Sequence, residues 1–290
     1  MPSELIQLLV GGILLGGIYG LAAFGLSITF GVVNILNLAH GEFLMLGSLL
    51  SYGMFVALGI NPFVSAVAVM PIFIVAGIGF YFLLLKPISE KPPHQLLVAS
   101  ILITLGASLV IEDVTAFFWE RPVTGIDYSL RPLELGGVVI SSTRLLILVF
   151  IFFLALSLQF YLRKTYMGKS IRAITQCREG AKVVGIPTAM VSALTFGLGI
   201  ALAASAGVFY VTLFTVTPVM GIPLTLKYLC VVVLGGLGSL IGSVLGGLIL
   251  GVAESLTAYY CGAEWAPTIA FILLILILIV KPEGLFGKKE

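Results

Sequence analysis

The polar residues best able to do chemistry in this sequence lie between two long apolar runs. In the stretch NLAHGEFLML, residues 37–46, Asn37, His40 and Glu42 stand close together in a chain that is otherwise poor in charge. A charged side chain at the centre of a bilayer costs about 2.5–3.5 kcal/mol on insertion scales, so an acid there needs a compensating environment or a use. If this stretch lies within a membrane, its residue types indicate a solute pathway or a proton relay.

Two interpretations of this polar stretch remain open on its residues alone. In the first, its side chains line a wet cavity or satisfy a broken helix where substrate passes. Gly41 supplies the backbone freedom that such a break needs. In the second, the stretch is a cytoplasmic turn solvated by water and lipid head groups, because the side-chain pattern does not fix its depth. The residues concerned are Asn34, Asn37, His40, Gly41 and Glu42.

Three further acids lie in or near apolar runs. Glu112 and Asp113 fall near the end of one run, where we expect them to reach interfacial water. Glu254 ends a glycine-rich run, and its spacing leaves three roles open: a helix cap, an interfacial residue or a partner of Lys227. A stand-alone channel or a proton-coupled carrier would use such acids, together with Glu42, in conduction or as a relay.

Metal-dependent and hydrolytic chemistry lack their usual residue patterns. His40 and His94 are the only histidines, and the three cysteines, Cys177, Cys230 and Cys261, are scattered. The sequence holds no H-E-x-x-H zinc helix, no G-x-S-x-G nucleophile elbow and no G-x-x-x-x-G-K-[ST] phosphate loop. We therefore predict no catalytic site, no metal site and no cofactor of the chain's own, so any ATP and Mg²⁺ that drive it would bind to a partner.

Composition indicates the elements that must position these residues. Hydrophobic residues make up 60% of the 290-residue chain and charged residues 10%, and the mean hydropathy is +1.19. Soluble domains are about 45–50% apolar and about 25% charged. We predict an all-α polytopic transmembrane bundle of about 8–10 helices, some re-entrant or broken, in a single domain, 1–290. The apolar runs are 5–31, 43–59, 62–85, 95–119, 143–162, 189–214, 224–258 and 266–280.

The run 224–258 is too long for one ordinary span, and the letters GGLGSLIG in its middle predict a turn inside the membrane. Small residues recur there at four-residue spacing, a pattern that lets helices approach closely. A similar row occurs in the first run. The glycines concerned are Gly235, Gly238, Gly242 and Gly246 near the end of the chain, and Gly12, Gly16 and Gly20 near its start.

Lysine and arginine residues near span ends mark cytoplasmic loops. Loop 163–182 holds six of them, and Lys281, Lys288 and Lys289 mark the C-terminal tail. We therefore predict that this loop and the C-terminus are cytoplasmic and that the weakly acidic N-terminus lies outside. Glu4, with no base before the first apolar run, is unlike a cleavable signal peptide, so we expect that run to be retained.

The basic loop predicts a structured element rather than a linker. No proline lies between Gly168 and Gly185, and apolar residues recur at the spacing of one helix face. A basic amphipathic helix either lies on anionic lipid or docks its apolar ridge on a soluble partner. The residues on that face are Ile171, Ile174, Ala181 and Val184.

Part of this loop carries a family resemblance. The letters EGAKVVG, residues 179–185, resemble the E-A-A-x-x-x-G core of the coupling loop in permeases of ATP-binding-cassette (ABC) importers. The resemblance implies that a cytoplasmic coupling loop, about 163–188, docks on an ATP-hydrolysing subunit through Glu179, Ala181 and Gly185, with Arg172 beside them. Gly180 departs from the pattern by replacing its first alanine, and glycine costs about 1 kcal/mol relative to alanine in a helix interior.

Longer stretches, in order along nearly the whole chain, are similar to permeases of branched-chain amino acid ABC transporters. The similarity implies a multi-pass permease of the bacterial plasma (inner) membrane, paired with a second homologous permease. It also implies two cytosolic ATPases and an external substrate-binding protein, with the 34–42 break near the translocation interface, and no nucleic acid. The stretches are GVVNILNLAHGEFLMLGSLLSY, ALTFGLGIALAASAGVFY, VVVLGGLGSLIGSVLGGLILG and KPEGLFG.

The same resemblance bears on the substrate. It implies import of leucine, isoleucine and valine by alternating access. Permeases with nearly the same stretches are associated with other amino acids or with urea and short amides, so those substrates remain alternatives. A stand-alone channel or proton-coupled carrier would need no ATPase, and the coupling motif argues against it.

Overall fold

The computed structural model describes residues 2–119, 125–128, 130–135 and 138–287, and this part of the chain is almost entirely helical. Nine of its helices are long and apolar enough to cross a membrane. That confirms the predicted all-α polytopic bundle. Lys288 and Lys289, predicted to mark the cytoplasmic tail, lie outside the described residues. The helices are α1 (Pro2–Val33), α2 (His40–Leu58), α3 (Pro62–Phe80), α4 (Pro93–Phe118), α5 (Ser142–Lys164), α6 (Tyr166–Gln176), α7 (Arg178–Val183), α8 (Thr188–Tyr210), α9 (Gly221–Gly235), α10 (Leu240–Tyr260) and α11 (Ala266–Val280).

Shorter elements extend or connect these helices. α3 continues through a π-helical turn, Tyr81–Leu85, and a 3-10 turn, Lys86–Ile88. The 3-10 turns Pro218–Met220 and Ala263–Trp265 lead into α9 and α11. Between α4 and α5, strands β1 (Leu133–Leu135) and β2 (Val138–Ile140) pair antiparallel in a small hairpin.

The centre of the bundle is α8, which packs against α1, α2 and α3 and is buried along most of its length. Its partners reach it through small residues. A Cβ built at Gly77 of α3 would lie 2.6 Å from the Gly197 Cα, and one at Gly47 of α2 would lie 2.6 Å from the Ala204 Cα. Close backbone approach through small residues is how membrane helices associate, because lipid offers no hydrophobic driving force between them.

The run 224–258 divides into α9 and α10 as predicted. Gly236 and Gly238 adopt positive φ angles of 100° and 76°, and the Ser239 side chain caps α10 by accepting a hydrogen bond from the Gly242 N–H at 3.1 Å. The prediction that Gly238 belongs to a helical row is therefore wrong, because α10 begins only at Leu240. Gly238 instead lies in this turn.

The other three glycines of that prediction do lie where two helices meet. Gly242 of α10 packs against Gly235, the last residue of α9. One turn further along α10, a Cβ built at Gly246 would lie 2.7 Å from the Val231 carbonyl oxygen. These contacts hold α9 and α10 together as a close antiparallel pair.

α1 and α10 also pack antiparallel, in a regular four-residue register. A Cβ built at Gly12 would lie 2.6 Å from the Val252 Cα, and one built at Gly16 would lie 2.6 Å from the Leu248 Cα. A step of four residues forward along α1 therefore corresponds to a step of four residues backward along α10. The small-residue row in the first apolar run is a helix contact.

Replacing Gly16 by valine should destabilise the bundle by about 1–3 kcal/mol, because the new side chain meets backbone atoms that cannot rotate away. The matched control is Gly11→Val on the same helix, where a Cβ meets nothing within 4 Å. Thermal unfolding of the detergent-purified protein checks this, with a lower Tm expected for Gly16→Val alone. Equal Tm values for the two variants would contradict the close contact between α1 and α10.

Candidate functional site

The polar stretch 34–42 returns into the helix bundle. α1 ends at Val33, Asn34 takes a left-handed φ of 53°, and α2 begins at His40. The His40 Nε2 atom lies 2.9 Å from the Ala22 carbonyl oxygen. Ala22 precedes the end of α1 by eleven residues, which is about 16 Å along a helix that rises 1.5 Å per residue. Residues 34–39 therefore bring the chain back to the middle of α1 before α2 begins.

Threonines from two other helices satisfy the backbone of this returning segment. Thr104 of α4 accepts a hydrogen bond from the Leu38 N–H at 3.0 Å. Thr225 of α9 accepts one from the Gly41 N–H at 2.7 Å, and its hydroxyl proton is shared between the carbonyl oxygens of Leu38 and Gly221, each at 3.0 Å. Non-helical backbone at membrane depth requires such partners, because lipid supplies none. The break is thus tied to α4 and α9 as well as to α1.

Asn37 and His40 fix the shape of the break. The Asn37 Oδ1 atom accepts a hydrogen bond from the Ala39 N–H at 3.1 Å, closing a tight turn ahead of α2. A carbonyl oxygen can only accept, so the His40 Nε2 atom that faces Ala22 carries the proton. Within the described residues the Nδ1 atom of the same ring has no hydrogen-bond partner.

Glu42 lies in the first turn of α2 and is fully buried. Its Oε1 atom accepts a hydrogen bond from the Ser108 hydroxyl of α4 at 2.9 Å, while its Oε2 atom has no partner in the part of the chain that the structure describes. The carboxylate packs directly on Gly221, the first residue of α9. It therefore faces the N-terminal ends of two helices, whose dipoles favour negative charge.

These contacts decide between the two interpretations of the polar stretch. Asn37, His40 and Glu42 are each 0% exposed. His40 faces α1, Glu42 bonds to α4 and packs on α9, and the backbone between them bonds to α4 and α9. A solvated cytoplasmic turn does not fit that burial. The stretch is a helix break inside the bundle, where the N-termini of α2 and α9 meet.

A second polar cluster joins α1, α9 and α10. The Lys227 Nζ atom lies 2.8 Å from the Glu254 Oε1 atom, and the Tyr19 hydroxyl donates to Glu254 Oε2 at 2.7 Å. Lys227 also lies over the Tyr19 ring, 4.8 Å from its centroid. Of the three roles left open for Glu254, the structure selects the pairing with Lys227.

The basic loop forms two helices, α6 and α7, rather than one continuous helix. Cys177 separates them with an extended backbone, and its Sγ atom accepts a hydrogen bond from the Gly180 N–H at 3.3 Å. Ile171, Ile174 and Ala181 are buried, as expected for residues on one apolar helix face, but Val184 is 74% exposed. Val184 departs from the predicted face because the bend at Cys177 and the end of α7 at Val183 change the direction of the chain.

Residues of the predicted coupling motif have distinct positions on these helices. Glu179 is exposed on α7, 3.6 Å from Lys182, and Ala181 packs inward. Gly185 lies two residues after the end of α7, in open space, with a φ of 81°, a left-handed position that favours glycine. The Arg172 guanidinium donates to the carbonyls of Leu162 and Arg163, and so joins α6 to the last turn of α5.

Comparison with known proteins identifies the family. The family model described as "Branched-chain amino acid transport system / permease component" matches residues 8–278 of this chain. The chain belongs to this permease family. The resemblance found in the sequence is thereby confirmed.

Individual proteins agree with the family assignment. The permease is 31% identical to the high-affinity branched-chain amino acid transport system permease protein LivH of Salmonella typhimurium, over 98% of this chain and 96% of the relative. It is 29% identical to the corresponding protein BraD of Pseudomonas aeruginosa, over the same shares. Among solved structures, a chain of PsaBC from Streptococcus pneumoniae in complex with Fab shares its fold, with a TM-score of 0.51, 12% identity and coverage of 98% and 97%.

Several residues that build the two clusters carry no signal in the sequence of the permease. Thr104, Ser108 and Thr225 are ordinary residues of apolar helices, and only the fold brings them to the break. Tyr19 is likewise far from Glu254 along the chain. Lys227 and Glu254, in contrast, could be detected in the sequence, because each is a charged residue in an apolar run.

Proposed function

We propose that this permease is a membrane-spanning subunit of an ATP-driven importer of leucine, isoleucine and valine. The observation that carries the proposal is the family match across nearly the full chain, with relatives named for branched-chain amino acid transport. Residues 1–290 act as one permease domain in the bacterial plasma membrane. The N-terminus lies outside, and the coupling loop 163–188 and the C-terminus lie in the cytoplasm.

The proposed assembly contains a second homologous permease, two cytosolic ATPases that bind ATP and Mg²⁺, and an external substrate-binding protein. The region around α7 supports the ATPase contact. Val183 and Val184 are 86% and 74% exposed beside the exposed Glu179. An adjacent groove of about 530 Å³ is lined in part by Phe82, Lys182 and Gly185. Exposed apolar residues grouped around a groove are typical of a surface that binds another protein.

The proposed mechanism is alternating access driven from this surface. ATP binding brings the two ATPases together, and α7 transmits that movement through α6 to α5, to which the Arg172 guanidinium is bonded. A packed element with two discrete arrangements is needed for such transmission. The break at residues 34–39 and the start of α9, joined through Thr225, provide a place where helices can shift against one another.

Gly185→Trp tests the ATPase contact. We expect it to release the ATPases during purification from native membranes in mild detergent, because it adds bulk and strain at an open left-handed position. Gly185→Asn, which tolerates the same φ, should retain them. Gly59→Trp is the matched control: the φ of Gly59 is +64°, this residue also lies in open space, and it caps α2 rather than following α7.

Mass spectrometry of the purified material gives the result. Two ATPases and a second permease should accompany the unmodified chain, Gly185→Asn and Gly59→Trp. Loss of the ATPases from Gly59→Trp as well would show that strain alone disrupts the assembly. A chain that purifies without any of these subunits would contradict the proposed importer.

A further inference from the structure

An apolar trough runs between α5 and α10 over the surface of α1. It has a volume of about 360 Å³, and its walls include Phe24, Ile151, Ala155, Ile241 and Leu248. Neither α5 nor α10 closes it, since the side chains of Phe152 and Ile241 are 53% and 57% exposed. The trough thus opens toward the surroundings of the bundle.

One end of the trough is polar and basic. Gln159, Arg163 and Leu240 line both the trough and a second cavity of about 330 Å³, so the two are adjacent. The second cavity also contains Arg172, with Gln176 beside it, and lies where α5 joins α6. Among the described residues that line either cavity, none is acidic. The polar end therefore offers positive charge to a ligand.

The dimensions of the trough match one leaflet of a bilayer. From Arg163 to Ile151 the trough follows α5 for twelve residues, or about 18 Å at 1.5 Å per residue, and half of the hydrocarbon core is about 15 Å thick. Arg163 lies in the last turn of α5, next to the basic loop. A long apolar channel with a cation at the interface is complementary to a lipid acyl chain with an anionic head group.

We propose that this site binds one anionic phospholipid of the cytoplasmic leaflet. Its acyl chain lies in the trough between α5 and α10, and its phosphate contacts Arg163. The head group then occupies the cavity beneath α6, where it braces α6 against α5. The inference rests on the proposed cytoplasmic position of the loop after α5, but on no assumption about substrate.

Native mass spectrometry of the full-length permease, purified with its associated subunits, tests the site. The probes are phosphatidylglycerol and phosphatidylcholine, each added to the delipidated protein in detergent. We expect one phosphatidylglycerol per chain to be retained under conditions that remove phosphatidylcholine. Because a base near the head groups contributes about 1 kcal/mol, Arg163→Gln should weaken this retention about fivefold.

Two matched variants separate charge from shape. Lys164→Gln removes the neighbouring charge, which does not line either cavity, and should leave retention unchanged. Ala155→Trp fills the trough and should abolish retention of phosphatidylglycerol. Unchanged retention in both Arg163→Gln and Ala155→Trp would overturn the proposal.

A protein occupant of the trough would also overturn the proposal. It would appear as a disulfide-linked product between Phe152→Cys and a cysteine scanned along the second permease in native membranes. The lipid measurement needs no uptake, so its failure would not affect the importer assignment. If the importer assignment failed instead, retention of phosphatidylglycerol would still support the lipid site, because the retention depends on the trough alone.

Discussion

Replacing Glu254 by leucine should cost the permease about 3–5 kcal/mol of stability, which is the usual effect of removing one partner from a buried ion pair. The carboxylate is 4% exposed and holds the Lys227 ammonium at 2.8 Å and the Tyr19 hydroxyl at 2.7 Å. Without it, the ammonium remains inside the bundle with no opposite charge. α1, α9 and α10 also lose their shared polar contact.

The double variant Glu254→Leu/Lys227→Met is the control for this expectation. Replacing both partners of a buried pair by apolar residues is often neutral, so the double variant should recover most of the lost stability. Tyr19→Phe removes the hydroxyl that donates to Glu254 and accepts from Lys227 at 3.3 Å but leaves the ion pair in place, so it should cost less, about 1–3 kcal/mol. Thermal unfolding in detergent distinguishes these cases. A double variant as unstable as Glu254→Leu would show that the pair is not the reason for the loss.

Replacing Thr225 by valine is the second change with a large expected effect. Valine keeps the shape of threonine but removes the hydroxyl that accepts from the Gly41 N–H and whose proton is shared between the Leu38 and Gly221 carbonyls. Each buried backbone group left without a partner costs about 1–3 kcal/mol. We therefore expect a loss of about 2–6 kcal/mol, concentrated at the junction of α2 and α9.

Thr225→Ser retains the hydroxyl and is the matched control. Hydrogen exchange of residues 34–42, measured by mass spectrometry in detergent, should increase strongly in Thr225→Val and only slightly in Thr225→Ser. The global Tm should follow the same order. If exchange in 34–42 is the same in all three proteins, Thr225 does not support the break.

Features local to a few residues could be predicted from the sequence. The division of the run 224–258 could be predicted from the letters GGLGSLIG, because glycines with positive φ and a serine cap are local requirements of a turn. The glycine rows likewise predicted close helix contacts, although not which helices would meet. Both depend on spacing within one short segment.

Depth and long-range pairing could not be predicted in the same way. The letters NLAHGE are equally compatible with a solvated turn, and only contacts with Ala22, Thr104 and Thr225 place them inside the bundle. The hydroxyl of Thr225 meets Gly41 from the far end of the chain. A single sequence contains no record of which distant residues become neighbours.

The bend at Cys177 was missed for another reason. The apolar spacing of Ile171, Ile174 and Ala181 fits one helix, and all three side chains are indeed buried. The spacing of apolar residues shows only which side chains point inward. That spacing continues across Cys177, although the backbone there is extended, so it does not reveal the bend. The bond from Arg172 to the end of α5 could not be predicted either, because it depends on how α6 folds back.

Uptake of radiolabelled leucine into proteoliposomes tests whether this permease belongs to an ATP-driven importer. The purified assembly would be reconstituted with its external binding protein, with ATP supplied on the face that carries α7. We expect that uptake requires ATP, persists when the proton gradient is dissipated, and is lost in Gly185→Trp but not in Gly59→Trp. Uptake by the chain alone, without ATP, that collapses with the proton gradient would contradict this expectation.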